Sequence, residues 1–224
     1  MDELMTFPNL KNVRVTNINV LRFGDKVEIL KHNVVEMEKL LKLVSFLSNE
    51  PHLDLQKATM RASIGQMLLK WLTETLFSQI RVSSLWPKCH PIIERQISRW
   101  TSTQITVHFV NDSKEFLTRH LSSGALRRLS CFNEECMFQA VVLRQIVESF
   151  LDAPDDKNDI DIQAYFRYSA EQELKRMISN GLCTVEVRPK TKKYVFNKQS
   201  AALIVERFKK NLWKMYSEDV GLAF

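Results

Sequence analysis

Six basic residues in the C-terminal part of the chain have side chains of the type and spacing needed to bind phosphate groups. They are Lys175, Arg176, Arg188, Lys190, Lys192 and Lys193. Ammonium and guanidinium groups neutralise phosphates and release condensed counterions, which is the main source of sequence-independent affinity for nucleic acids. The spacing therefore predicts a phosphate-binding surface. The alternative is a solvated charged surface, or one that faces another protein.

The net charge of the chain is concentrated in its C-terminal quarter. Residues 171–224 hold 11 lysine and arginine residues against 6 acidic residues, so they account for +5 of the total of +6. The first 170 residues hold 21 basic and 20 acidic residues and carry only +1. Such an asymmetry is typical of a segment that binds a polyanion. The candidate site is therefore extended to Arg207, Lys210 and Lys214.

A helix followed by a hairpin is predicted to position the first six of these side chains. Ser169 precedes a segment of helical periodicity and Gln172 follows three residues later, a capping-box pattern. Asn180-Gly181 predicts the end of the helix, because glycine adopts the left-handed conformation of a helix C-terminus without strain. Residues 182–188 and 193–196 alternate apolar and polar side chains around a basic turn, which predicts two paired strands.

A last helix is expected after Ser200 and would carry the remaining basic residues. Its apolar side would be formed by Ala201, Val205, Phe208, Leu212 and Met215. Spacings of three to four residues are typical of an amphipathic helix. Arg207, Lys210 and Lys214 would then lie opposite the core. The apolar residues 220–224 follow and are expected to dock on the core or on a partner.

Seven residues of the predicted helix and hairpin resemble the recognition helix and wing of the winged-helix superfamily. They are Leu174, Met177, Gly181, Leu182, Val185, Tyr194 and Phe196. The resemblance implies two preceding helices, for which residues 134–151 and 161–167 are the candidates. It also implies that the helix after Ser169 reads bases, but Glu171 and Glu173 near its start would be repelled by phosphate. Contact through the wing, or protein binding through the helix, fits these residues better.

The fold class predicted for the whole chain is helix-rich α+β. Residues 11–30 predict an N-terminal β-hairpin, and residues 105–110 predict a strand. Helices are expected over residues 34–47, 55–80, 91–100, 114–121 and 134–151. We expect an α+β helical domain over residues 1–130 and a winged-helix-like domain over 131–224, with an acidic connection at 152–161.

The sequence predicts a non-catalytic protein without a cofactor. All five glycines stand alone, so no phosphate-binding loop is present, and no protease or hydrolase motif occurs. The chain shows no secretion signal, so Cys89, Cys131, Cys136 and Cys183 are expected to be free thiols. The alternative for the cysteines is a zinc site that combines Cys89, His90, Cys131 and Cys136.

Two functional hypotheses follow from these features. The leading one is a nucleic-acid- or chromatin-associated adaptor subunit that binds the phosphate backbone of DNA or RNA with little sequence specificity. The alternative is a protein–protein interaction subunit of a larger complex that uses the winged-helix unit and the apolar tail, without nucleic acid. No segment is apolar enough to span a membrane. Residues 188–193 resemble a nuclear-import signal, so the nucleus is the expected location and the cytoplasm the alternative.

Overall fold

The computed structural model contains two compact units that alternate strands and helices. The units are Met1–Gln104 and Ile105–Phe224. The domain boundary expected from the sequence, between residues 130 and 131, therefore lies inside the second unit. The structure describes residues 14–20, 34–55, 62–85, 87–99, 103–110, 112–154, 158–181, 184–188, 191–198, 200–209 and 211–219. Within them the protein is a mixed α/β fold. None of the described helices is long and apolar enough to cross a membrane.

The first unit is built from parallel strands joined by helices. Its strands, in the order in which they pair, are β1 (Val15–Val20), β2 (Ser48–Leu55) and β3 (Gln79–Leu85). Its helices are α1 (Val34–Leu47), α2 (Ala62–Glu74) and α3 (His90–Ser98). Crossovers between parallel strands are right-handed, so strands that pair in sequence order place successive helices on the same face. In agreement, α2 packs against both α1 and α3.

The predictions for the first unit were right for two helices and wrong for the longest one. The helices expected over 34–47 and 91–100 are present as α1 and α3. The single helix expected over 55–80 is wrong, because this range holds the end of β2, all of α2 and the start of β3. Residues 26–30, expected to be the second strand of a hairpin, lie outside the described residues.

The second unit has three parallel strands followed by four antiparallel ones. Its strands are β4 (Gln104–Val110), β5 (Arg128–Cys131), β6 (Asp161–Tyr165), β7 (Thr184–Arg188), β8 (Thr191–Asn197), β9 (Ala201–Lys209) and β10 (Leu212–Asp219). They pair in the order β4-β5-β6-β10-β9-β8-β7. Its helices are α4 (Lys114–Ser122), α5 (Ala140–Asp152) and α6 (Ser169–Ser179).

The helices of the second unit lie together on one face of its strands, called here the helix face. The helix α5 packs against both α4 and α6. The strand residues on this face are at most 1% exposed in β4, β5 and β6: Ile105, Val107, Leu129, Cys131, Ile162 and Ala164. Side chains alternate between the two faces of a strand, so the residues between them, such as Ser130 and Gln163, point to the opposite face and are only half-buried.

The helix and hairpin at the centre of the winged-helix prediction are present, but the elements around them differ. The helix α6 begins at Ser169, so this residue is not its cap, and Gly181 has a φ of 72° after the helix ends. The expected helix over 161–167 is largely the strand β6, and the helix expected from 134 begins only at Ala140. The strand β5 was not predicted.

The last predicted helix is also wrong, since the chain forms the strands β9 and β10 there. Arg207 therefore lies on β9 and Lys214 on β10, while Lys210 lies outside the described residues. Strands hold a share of the described residues similar to that of helices, so the fold is not helix-rich. The helix expected over residues 114–121 and the strand expected over residues 105–110 are confirmed as α4 and β4.

Candidate binding surface

Strand alternation divides the basic residues predicted to bind phosphate between two opposite faces. Lys192 and Lys193 are neighbours in β8, so their side chains point in opposite directions. Lys192 shares the helix face with the buried Tyr194, two residues further along the strand. Lys193 is aligned with Glu206 of β9, which in turn is aligned with Lys214 of β10. The predicted basic residues therefore do not form one continuous surface.

On the helix face, three basic side chains surround one carboxylate of α6. Glu171 lies 3.8 Å from Lys175, 4.0 Å from Lys192 and 3.5 Å from Arg207, measured between charged nitrogen and oxygen atoms. We call this group the Glu171 cluster. It carries a formal charge of +2, and all four side chains are at least a quarter exposed. The carboxylate that was expected to repel phosphate thus neutralises part of the charge that would attract it.

The second carboxylate of α6 has the same role. Glu173 contacts Arg144 of α5 at 3.1 Å and Arg176 at 3.3 Å. Its side chain is 12% exposed, whereas that of Arg176 is 76% exposed. Arg176 therefore stays accessible to a ligand, but its charge is already paired with a carboxylate that also contacts Arg144.

The substitution Glu171→Gln tests how strongly the cluster is held by charge. It leaves Lys175, Lys192 and Arg207 to repel one another, and we expect unfolding free energy to fall by at most about 1 kcal/mol because the group is partly exposed. The loss should be largest near 0.01 M salt and should shrink near 1 M, where the Debye length is about 3 Å. Urea unfolding at both salt concentrations measures this. A loss of stability that does not depend on salt would contradict the electrostatic explanation. Glu148→Gln is the control, because this exposed glutamate is paired with Arg144 alone among the described residues.

The opposite face of the second unit carries a compact group of two lysines, a tyrosine and a glutamate. Lys193 Nζ donates a hydrogen bond of 2.9 Å to Tyr216 Oη and lies 3.7 Å from Glu206 Oε2. Lys214 Nζ lies 4.7 Å from the centre of the Tyr216 ring, a cation–π geometry. We call these four residues the lysine–tyrosine cluster. Its two ammonium groups and one carboxylate give the cluster a formal charge of +1, and only Lys193 is paired with the carboxylate.

This cluster is part of a longer polar row on the face that none of the described helices of the unit covers, called here the helix-free face. Six aligned residues cross the strands β4, β5, β6, β10, β9 and β8: Thr106, Ser130, Gln163, Lys214, Glu206 and Lys193. At the β4–β5 end lie His108, which is exposed, and Phe132, which is 43% exposed, with ring centres 6.1 Å apart. Aromatic side chains within a polar surface are typical of protein interfaces.

Several predicted site residues cannot be placed in either cluster. The backbone of Arg188 belongs to β7, but its side chain lies outside the described residues, as do Lys190 and Lys210. The apolar residues 220–224 are outside the described residues as well. Among the nine predicted basic residues, the Glu171 cluster collects three and the lysine–tyrosine cluster collects two.

The cysteines with described side chains are free thiols, and two of them interact. Cys89, Cys131 and Cys136 are buried and unbridged, as expected; Cys183 lies outside the described residues. A hydrogen bond from Cys136 lowers the pKa of Cys131 against the opposing effect of burial. The same bond, together with burial, raises the pKa of Cys136, which stays a thiol. In the described part of the chain no three His, Cys, Asp or Glu residues are grouped to hold a metal ion, so zinc, which takes four ligands in structural sites, gains no support.

Sequence analysis missed most of the helix-free face for two reasons. It placed Lys214 and Tyr216 in or near a helix, and it did not predict β5, which contributes Ser130. A signal for β5 existed, because Arg128, Leu129, Ser130 and Cys131 alternate polar and apolar side chains. Four residues are too few to distinguish such alternation from chance.

The geometry can be compared with known proteins. No protein-family model, no curated protein and no solved structure matches this chain.

Proposed function

We propose that the protein is a non-catalytic interaction subunit that binds another protein through the helix-free face. The observation that carries the proposal is the polar row on six aligned strands, whose members Ser130, Gln163 and Lys214 are partly exposed, together with the exposed Phe132 at its border. An interface that combines an accessible aromatic side chain with hydrogen-bonding groups fits protein partners.

The charge distribution favours a protein over a nucleic acid as the partner. Phosphate-backbone affinity grows with the number of phosphates that basic side chains neutralise. The lysine–tyrosine cluster has a formal charge of only +1, and Arg128 on the same face forms an ion pair with Asp159. Lys175, Lys192 and Arg207 lie on the opposite face, around Glu171. The basic side chains that the structure describes at the site are therefore divided between two faces and are not presented together to one ligand.

A double substitution on the helix-free face tests the proposal. Ser130→Arg with Gln163→Arg places two long side chains at aligned positions of β5 and β6 without touching the core. Proteins that co-purify with the wild-type chain from a nuclease-treated extract should be retained at least about tenfold less. Glu148→Arg on α5 is the control, because that side chain is half exposed on the opposite side.

The comparison is made by quantitative mass spectrometry after circular dichroism has shown that both variants are folded. Partners bound equally by the wild type, the double variant and the control variant would overturn the proposal. Partners lost only from the Glu148→Arg variant would move the interface to the helix side.

A nucleic-acid-binding adaptor is the second candidate, and the Glu171 cluster favours it. Three basic side chains from α6, β8 and β9 converge on one carboxylate there, which leaves a charge of +2 at an accessible position. Titration of duplex and single-stranded DNA and RNA probes near 50 mM and 200 mM salt tests this candidate. Absence of binding near 50 mM would reject it, and so would binding that Arg207→Gln leaves unchanged. A nuclear location stays a prediction that belongs to this candidate.

A further inference from the structure

We infer that the partner of the helix-free face contributes an acidic side chain, whose carboxylate binds between Lys214 and the hydroxyl of Tyr216. The inference rests on the proposed function, and it specifies the chemistry of the partner. It is carried by the hydrogen bond, the ring contacts and the ion pair of the lysine–tyrosine cluster. These contacts leave two groups of the cluster available to a partner: the ammonium of Lys214 and the hydroxyl hydrogen of Tyr216.

The first group available to a partner is the ammonium of Lys214. It lies against the Tyr216 ring at 4.7 Å, and among the described residues it has no carboxylate within ion-pair distance. Its neighbour across the strand, Glu206, is instead paired with Lys193 at 3.7 Å. Contact with the ring holds the ammonium in position on the helix-free face, so a carboxylate that arrives there meets a charge that is already oriented.

The second group available to a partner is the hydrogen of the Tyr216 hydroxyl. Its oxygen accepts the bond from Lys193, and a tyrosine hydroxyl can accept and donate at the same time. In the described part of the structure that hydrogen has no acceptor. A carboxylate beside Lys214 supplies one, and charge-assisted hydrogen bonds of this kind are stronger than neutral ones. An ammonium and a hydroxyl donor side by side thus select an anionic acceptor.

The distance to Phe132 indicates the form of the partner. Lys214 is aligned with Gln163 and Ser130, two strands away, and Phe132 follows Ser130 by two residues. With strands about 4.8 Å apart and about 3.3 Å per residue, Phe132 lies roughly 12 Å from Lys214 and roughly 16 Å from Tyr216, which is aligned with Asp161 and Arg128. Residues i and i+4 of an extended segment lie about 13 Å apart on the same side. The surface therefore fits an extended segment with an apolar and an acidic residue four positions apart.

The experiment uses a synthetic peptide with phenylalanine and glutamate four positions apart in a background of threonine and serine. Its affinity for the whole chain is measured by isothermal titration calorimetry, and a second peptide carries glutamine in place of glutamate. We expect the glutamine peptide to bind at least about fivefold more weakly, which corresponds to about 1 kcal/mol.

Three protein variants identify the groups involved. Lys214→Met keeps the length and apolar character of the side chain and should remove the preference for glutamate. Tyr216→Phe keeps the ring and should weaken the glutamate peptide about two- to fivefold, because only the hydroxyl is lost. Lys175→Met, which removes an exposed lysine on the helix side, should change neither affinity.

Equal affinities for the two peptides, or an unchanged preference in Lys214→Met, would overturn the inference. Failure of the glutamate peptide to bind at about 1 mM would do so as well. Displacement of the peptide by a short oligonucleotide that binds more tightly to the lysine–tyrosine cluster would also overturn it, because the partner of this face would then be a nucleic acid. If Ser130→Arg with Gln163→Arg loses its partners while Lys214→Met keeps them, the acidic inference fails and the proposed protein-binding function stands.

Discussion

Replacing Gly124 with alanine is expected to lower the free energy of unfolding of the second unit by about 3 kcal/mol. Gly124 follows the end of α4 with a φ of 68°, a conformation that costs an alanine roughly 1 kcal/mol. A Cβ at this position would also overlap the Oγ of Ser149 and lie 2.8 Å from its Cβ. Rotation of the Ser149 hydroxyl relieves only the first of these contacts, so α4 and α5 would have to move apart.

Gly181→Ala is the matched control for this prediction. Gly181 has a similar φ of 72°, but a Cβ there would meet no atom within 4 Å. Its substitution should therefore cost only the conformational part, about 1 kcal/mol. Urea unfolding gives the free energy of unfolding of both variants, and the difference between the two values is the cost of the overlap with Ser149. A Gly124→Ala variant as stable as Gly181→Ala would show that α4 and α5 accommodate the extra methyl group freely.

Replacing Gln96 with leucine is expected to have a similar effect in the first unit, about 3 kcal/mol. Gln96 is 1% exposed on α3. Its Oε1 accepts a hydrogen bond of 3.1 Å from the amide of Phe77, and its Nε2 donates one of 2.9 Å to the carbonyl of Thr75. Leucine fills a similar volume but satisfies neither backbone group. Each buried backbone group left without a partner costs about 1 to 3 kcal/mol.

Amide hydrogen exchange locates this effect. Exchange at Phe77 should accelerate about 100-fold or more in Gln96→Leu, as expected for a loss near 3 kcal/mol if this amide exchanges through unfolding of the unit. Gln139→Leu serves as the control, because Gln139 is exposed and its side chain does not cap α5. Unchanged exchange at Phe77 together with unchanged stability would show that other groups take over both hydrogen bonds.

The elements that the sequence predicted correctly carry strong local signals. The helices α1, α4 and α6 each combine a single apolar stripe with a polar residue before the helix or a glycine after it. The hairpin of β7 and β8 alternates apolar and polar residues on both sides of a basic turn. Such signals are contained within a few residues, so they do not depend on what the segment packs against.

The strand β9 shows why local signals failed for the last part of the chain. Five consecutive residues, Ala201 to Val205, are buried. In an interior strand both faces are covered to some extent, so the alternation that identifies a half-buried strand disappears. What remained was a set of apolar residues three to four positions apart, which also matches a helix. The turn after β9 contained one overlooked signal: Asn211 has a φ of 65°, a conformation in which asparagine is enriched.

This error determined how much of the site could be predicted. The basic residues were identified from composition, but their distribution depended on whether residues 201–219 formed a helix or strands. A helix would have collected Arg207 and Lys214 on one side. As strands, β9 directs Arg207 toward Glu171 and β10 directs Lys214 toward Tyr216. Which acidic or aromatic group each basic residue meets is set by strand register, and register depends on the whole sheet.

The position of β10 has a consequence for biosynthesis. The strand β6 pairs on one side with β5 and on the other with β10, about 50 residues later in the chain. While a ribosome is still translating residues 166–211, the hydrogen-bonding edge of β6 has no native strand to pair with. An unpaired strand edge can pair with a strand of another chain. Nascent chains on ribosomes that translate the same mRNA can therefore associate through β6. We therefore expect release of residues 212–219 from the ribosome, rather than formation of α6 or the hairpin, to commit the second unit to its folded state.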